Sequence, residues 1–225
     1  MRTIDVISDV ICPWCWIGRA NLMAALEELR AEGLRFRIRW LPFQLNPDMP
    51  LQGVARDEYR ARKFGSLERS RELDAQVAEV GRDAGLDFRF DLIARTPNSL
   101  AAHRVIRAAD LAQDADDAPE DLQERVVEAL FDAYFRGGRD LGDIATLDAI
   151  AASAGLPGMG EMLTRSDHRF EVLEEDQSFR NAGVAGVPTF LMDRHLLFSG
   201  AQPGAEMARA FREAHGVLSA RERRR

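Results

Sequence analysis

The sequence predicts an α/β protein whose strands lie near its two ends and whose middle is helical. Three observations carry this expectation. The first 43 residues read as strand, helix, strand; residues 46–182 show helical periodicity; and β character returns at 187–200 before a last helix.

Residues 2–10, RTIDVISDV, place β-branched side chains at Thr3, Ile4, Val6, Ile7 and Val10 with no helical period. After the motif CPWC the pattern changes. Trp16, Ile17, Leu22, Met23, Leu26 and Leu29 recur at helical spacing, and Gly33 supplies the stop. Residues 35–43, RFRIRWLPF, alternate Arg with large apolar residues, as a strand with one wetter face does. A right-handed crossover through the helix makes the two strands parallel. The CPWC motif then stands at the carboxyl end of the first strand, the edge where open α/β sheets hold their sites.

From about Asn46 to Ala182 no strand is expected. Residues 57–86, 99–112, 120–138 and 144–156 read as helices, and Pro97, Pro119 and Pro157 punctuate them. The acidic run DADDAPED (114–121) reads as a charged loop. VPTFLMD (187–193) and HLLFSG (195–200) then form a hairpin around Asp193–Arg194, followed by a helix from about Pro203 to Ala220. The division is therefore a discontinuous α/β unit, 1–45 with 183–225, interrupted by a helical domain, 46–182.

With 225 residues, 46% of them apolar, the chain is long enough for a packed core. No run of about 18 apolar residues suggests a membrane span, and MRTIDVISDV lacks the features of a signal peptide. Both point to a soluble, cytoplasmic protein. A formal charge of −7 disfavours nucleic acid as a partner. The basic run RERRR (221–225) reads as a solvated helix end.

Cys12 and Cys15 are the only cysteines. Structural zinc takes four ligands, and the four histidines, His103, His168, His195 and His215, are scattered, so no metal is expected. A bridge closing three positions constrains the unfolded chain little, which weakens a purely structural role. The helix start favours chemistry instead. A cysteine there meets unpaired backbone N–H groups and the positive end of the helix dipole, which stabilise the thiolate, the nucleophile of disulfide exchange. Spacing i, i+3 brings Cys15 to the same helical face. Pro13 fits the first turn, where its missing N–H costs nothing.

CPWC after a first strand, a helical insertion, and GVPTF before the final hairpin and helix resemble the DsbA-like thioredoxin-fold family. The segments SDVICPWCWIG (8–18), TPNSLAAHRVIRAA (96–109), FDAYFRGGRDLGD (131–143) and NAGVAGVPTFLMD with FSGAQP (181–203) resemble its FrnE-like branch of cytoplasmic thiol–disulfide oxidoreductases. The resemblance implies a thioredoxin fold with a large helical insertion. It makes Cys12 the exposed attacking thiol, Cys15 the buried resolving thiol, and Val187–Pro188 a cis-proline loop beside them. Pro13, Trp14 and Val187 become substrate-binding candidates. His103 is a further candidate to line the groove, against the alternative of a helix-packing histidine, which the residues favour. Phe131, Tyr134 and Phe135 read as core.

Two departures from the family pattern stand out. Val6 occupies the position of the buried acid that relays a proton to the resolving thiol, leaving Asp5 and Asp9 as nearby candidates. Trp14 replaces the histidine of the strongly oxidising CPHC enzymes.

The expected activity is exchange of disulfides with a protein or small-thiol partner, with no bound cofactor and glutathione as a candidate co-substrate. The same branch resembles glutathione-dependent 2-hydroxychromene-2-carboxylate isomerases and kappa-class transferases, in which serine commonly replaces the cysteine. That activity, and a peptide-binding chaperone, are the alternatives. A homodimer is compatible with each.

Overall fold

The computed structural model describes residues 1–115 and 118–224. The acidic run at 114–121 therefore lies partly outside the described residues, as does the last residue of RERRR.

Strand β1 (Arg2–Ser8), helix α1 (Pro13–Ala31) and strand β2 (Phe36–Pro42) form the first unit. β1 and β2 are parallel, in a register that sets Arg2 against Phe36 and Ser8 against Pro42. At the other end of the chain, β5 (Thr189–Met192) and β6 (His195–Ser199) form the hairpin, and α9 (Gly204–Glu222) follows. Asp193 and Arg194, at the hairpin turn, both have positive φ, 46° and 69°. That conformation matches the right-handed twist of the flanking strands. β5 joins β1 antiparallel, giving one four-stranded sheet in the order β2-β1-β5-β6.

The alternation in β1 and β2 assigns the faces. Ile4, Val6, Ile38 and Trp40 belong to the main apolar core, with α1 and α9. On the other face Ile7, Leu41 and Phe43 form a smaller cluster. The arginines of the wetter face are paired: Arg39 Nε donates to Asp5 at 2.8 Å, and Arg37 binds Asp110 and Asp114.

Between β2 and β5 come the helices α2 (Arg56–Phe64), α3 (Leu67–Asp83), α4 (Leu100–Asp114), α5 (Leu122–Phe135), α6 (Ile144–Ser153), α7 (Met159–Thr164) and α8 (Arg169–Asn181). The single helix expected over 57–86 is two. Gly65 ends α2 in the left-handed region at φ 88°, and the Ser66 side chain caps α3 by accepting from Arg69 N at 3.0 Å. The helical stretch also contains two short strands, which corrects the expectation of none. β3 (Val54–Ala55) and β4 (Arg95–Thr96) pair antiparallel. At two residues each they are too short to show alternation.

The core runs without a break from the sheet into the helices. Trp16 of α1 stands edge-on to Phe88 at 4.8 Å and stacks on Phe135 of α5 at 5.6 Å. Helix α5 also covers the edge of the sheet. The Gln123 side chain accepts from Trp40 N at 2.9 Å and donates to Trp40 O at 3.0 Å, as a neighbouring strand would.

Candidate active site

β1 ends at Ser8, and the chain turns through Asp9–Ile11 into α1. Cys12 is the N-cap residue, extended at φ −92° and ψ 113°, with Pro13 opening the helix. Cys12 N donates to Asp9 O at 3.0 Å, and Cys12 O accepts from Cys15 N at 3.0 Å. This turn sets the two sulfurs side by side as free thiols.

The sheet brings the far end of the chain to the same place. Pairing of Ile7 with Thr189 carries the loop before β5 to the end of β1. The Val187–Pro188 peptide is cis, and the Cys12 thiol donates to the Val187 carbonyl at 3.8 Å. Gly18 makes the approach possible. A Cβ built there would lie 2.9 Å from Pro188 Cγ.

Cys12 opens on a cavity of about 370 Å³. One wall is Cys12, Pro13, Trp14 and Val187; the opposite wall is α2 and α3. Cys12 is only 4% exposed. The expectation of an exposed attacking thiol needs correcting: the sulfur packs beside the Val187 carbonyl and Cys15, and the surface it keeps faces the cavity. Trp14, 42% exposed, stands at its rim.

The α2–α3 wall carries Arg56, Arg60 and Lys63 against one carboxylate, Asp74. Asp74 accepts from Arg56 at 2.7 Å and also from Arg60, while Lys63 donates to the Tyr59 hydroxyl at 2.7 Å. Burial and the Arg56 charge lower the pKa of the Arg60 guanidinium, against the pull of Asp74. The wall is net positive and lined with aromatic faces. Nothing in the periodicity of α2 marked these residues, because a polar helix reads as solvated surface.

Cys15 is fully buried. Burial pushes its thiol far above the ordinary range, the neighbouring Cys12 adds to the rise, and the Asp9 backbone and the Ser8 side chain oppose it. The two sulfurs thus sit in unequal environments, one on the cavity and one in the core.

The structure brings Cys12, Cys15, Pro13, Trp14, Val187 and Pro188 together. His103 lies elsewhere, buried on α4 with Nε2 at 3.4 Å from Asp9 Oδ1, and it is not part of the cavity wall. Asp5 points to the opposite sheet face, against Arg39. Asp9 is wholly buried, and its carboxylate accepts from Leu45 N at 2.7 Å. Phe131 is core, whereas Tyr134 and Phe135, though buried, also reach the cavity. No group of three or more potential metal ligands occurs among the described residues.

The fold is similar to a probable DsbA oxidoreductase from Streptomyces coelicolor, with 24% identity, 96% of this chain and 91% of that chain covered, and a TM-score of 0.82. It is similar to the cytosolic disulfide reductase DsbM from Pseudomonas aeruginosa, solved with GSH, at 22% identity, coverage of 95% and 98%, and a TM-score of 0.63. A 2-hydroxychromene-2-carboxylate isomerase matches at 13% identity, with coverage of 98% and 97% and a TM-score of 0.65. The sequence profile of the DSBA-like thioredoxin domain matches residues 3–212, so the chain belongs to the DSBA-like thioredoxin domain family.

Proposed function

We propose that the protein is a thiol–disulfide oxidoreductase in which Cys12 is the nucleophile and Cys15 the resolving thiol. The observation that carries this reading is the unequal pair of free sulfurs at a helix start, with Cys12 facing the cavity beside the Val187 carbonyl at 3.8 Å.

Cys12 thiolate attacks a substrate disulfide, one substrate thiolate leaves, and the other half stays bound to Cys12. An extended substrate pairs with the Val187 backbone at the cavity mouth. Cys15 then attacks the Cys12 sulfur, the bond to substrate breaks, and the enzyme is left with a Cys12–Cys15 disulfide. A small thiol resets the dithiol. The reverse sequence oxidises a dithiol substrate. In a reducing, cytoplasmic setting the reductive direction dominates.

The net positive wall of Arg56, Arg60 and Lys63 fits an anionic small thiol, and glutathione is the co-substrate we assign to it. The same wall supports a second reading, a glutathione-dependent isomerase. The presence of both cysteines favours exchange. A peptide-binding chaperone would need neither sulfur.

Trapping separates these readings. Cys12→Ser should abolish exchange and trap nothing. Cys15→Ser should keep the attack and accumulate disulfide-linked partners, seen as reductant-sensitive bands on a non-reducing gel. Glutathione-dependent isomerase activity in the double serine variant, with no partners trapped by Cys15→Ser, would overturn the assignment.

A further inference from the structure

We infer that Thr189 and Ser199, together with the Gly200 amide, are positioning residues that orient the Gly186–Val187 ledge for an extended substrate. The inference rests on the exchange reading above and adds to it the groups that hold the ledge in place.

The ledge needs holding. Residues 183–187, GVAGV, join α8 to β5. Gly183 has a φ of 87°, Ala185 is exposed, and nothing lies within 4 Å of a Cβ built at Gly183 or Gly186. Two loosely surrounded glycines leave the backbone much freedom. Yet the Val187 carbonyl has a defined place, 3.8 Å from the Cys12 sulfur. A substrate backbone that pairs with Val187 binds better when the ledge is ordered beforehand.

The Pro188 ring is seated on Gly18. The backbone on either side of Val187 is held by polar bonds instead. Thr189 Oγ1 donates to Gly186 O at 2.8 Å, and it lies 2.7 Å from Ser199 Oγ. A carbonyl can only accept, so the single Thr189 hydroxyl proton goes to Gly186, and Ser199 donates the second bond. The chain therefore runs from the Ser199 hydroxyl through Thr189 to the Gly186 carbonyl, each bond polarising the next. Gly200 N donates to the Pro188 carbonyl at 2.8 Å.

A cross-strand Thr–Ser pair is also an ordinary way to stabilise a sheet, and Thr189 and Ser199 are register partners of β5 and β6. Sheet pairing does not explain the bond from Thr189 to Gly186, which lies outside the strand. Nor does it explain the corner that follows. In FSGAQP (198–203) Gly200 turns the chain at φ 90°, and Gln202 N donates to Gly200 O at 3.0 Å. Asn21 of α1 donates to Gln202 O at 2.9 Å. The corner thus ties the ledge to the helix that begins at Cys12. Ledge and nucleophile keep one spacing because the same corner grips both.

The test mixes reduced full-length protein with one of two disulfides and follows oxidation of the dithiol by acid-quenched mass spectrometry. The first is the disulfide-linked dimer of blocked alanyl-cysteinyl-alanine, whose backbone can pair with Val187. The second is hydroxyethyl disulfide, which has no peptide group and sets the reference for each variant. Thr189→Val keeps the shape and removes both hydroxyl bonds. Its second-order rate on the peptide should fall about fivefold relative to its rate on hydroxyethyl disulfide, the worth of about one hydrogen bond. Thr189→Ser retains the hydroxyl and should keep the wild-type ratio. Ser199→Ala should lower the ratio about twofold, since Thr189 then keeps its bond to Gly186 without support.

Folded Thr189→Val protein that loses the same factor on both disulfides, or loses nothing on either, would overturn the inference. If that variant does not fold, Ser199→Ala decides, because Ser199 is exposed and tolerates truncation. A wild-type ratio in Ser199→Ala would then overturn it. A wild type that is oxidised by neither disulfide would remove the exchange reading itself, and this inference with it.

Discussion

Gly18 and Pro188 are in contact across the active site: a Cβ at position 18 would lie 2.9 Å from the proline Cγ. Neither partner can yield easily, since one is in a helix interior and the other is a ring. Gly18→Ala should therefore destabilise the protein by about 1–3 kcal/mol through overpacking. The helix propensity of alanine returns at most about 1 kcal/mol. Urea unfolding measures the balance. Disulfide exchange should fall as well, because the displaced loop carries the Val187 carbonyl away from Cys12.

The edge of the sheet offers a second test. Gln123 satisfies both the N–H and the C=O of Trp40, at 2.9 and 3.0 Å. Gln123→Leu leaves both groups buried without a partner, at about 1–3 kcal/mol each. Denaturant midpoints should fall accordingly, and the Trp40 amide should exchange with solvent faster. A midpoint equal to that of the wild type would show that water replaces the side chain.

Stability of the reduced protein should depend on pH through Cys15. Its thiol is raised well above the ordinary value of 9.0 by burial and by Cys12. A raised native value means that the folded state holds its proton where the unfolded chain has lost it. The contribution is complete below about pH 9 and is lost as pH rises above it, at up to about 1.4 kcal/mol per pH unit. Cys15→Ala and the oxidised protein should lack this decline. Urea titrations from pH 7 to 10.5 check it.

Lys63 is the cation of the α2–α3 wall that has no carboxylate partner among the described residues. Lys63→Glu should reduce kcat/KM for an anionic glutathione mixed disulfide about fivefold at low salt and less at high salt. A neutral disulfide of similar size should be unaffected. Equal losses for both substrates would remove the electrostatic role.

By itself the sequence determined the parts whose signal is local. Alternation in RTIDVIS and RFRIRWLPF marked the parallel strands, and the change to helical spacing after CPWC placed Cys12 at a helix start. The hairpin at Asp193–Arg194 was legible because two short apolar runs, TFLM and HLLF, flank a two-residue turn. Other features are decided between distant segments, where periodicity carries no information. Cys12 is buried beside Val187, 175 positions along the chain, and the cavity it faces is walled by α2 and α3, whose polar pattern reads as surface. His103 turns to Asp9 rather than to the cavity because of the way α4 packs behind the CPWC turn. The two-residue β3–β4 pair exists only because its partners, about 40 residues apart, are brought together. Local propensity sets the elements, and the packing of those elements sets which side chains meet and how far each lies from water.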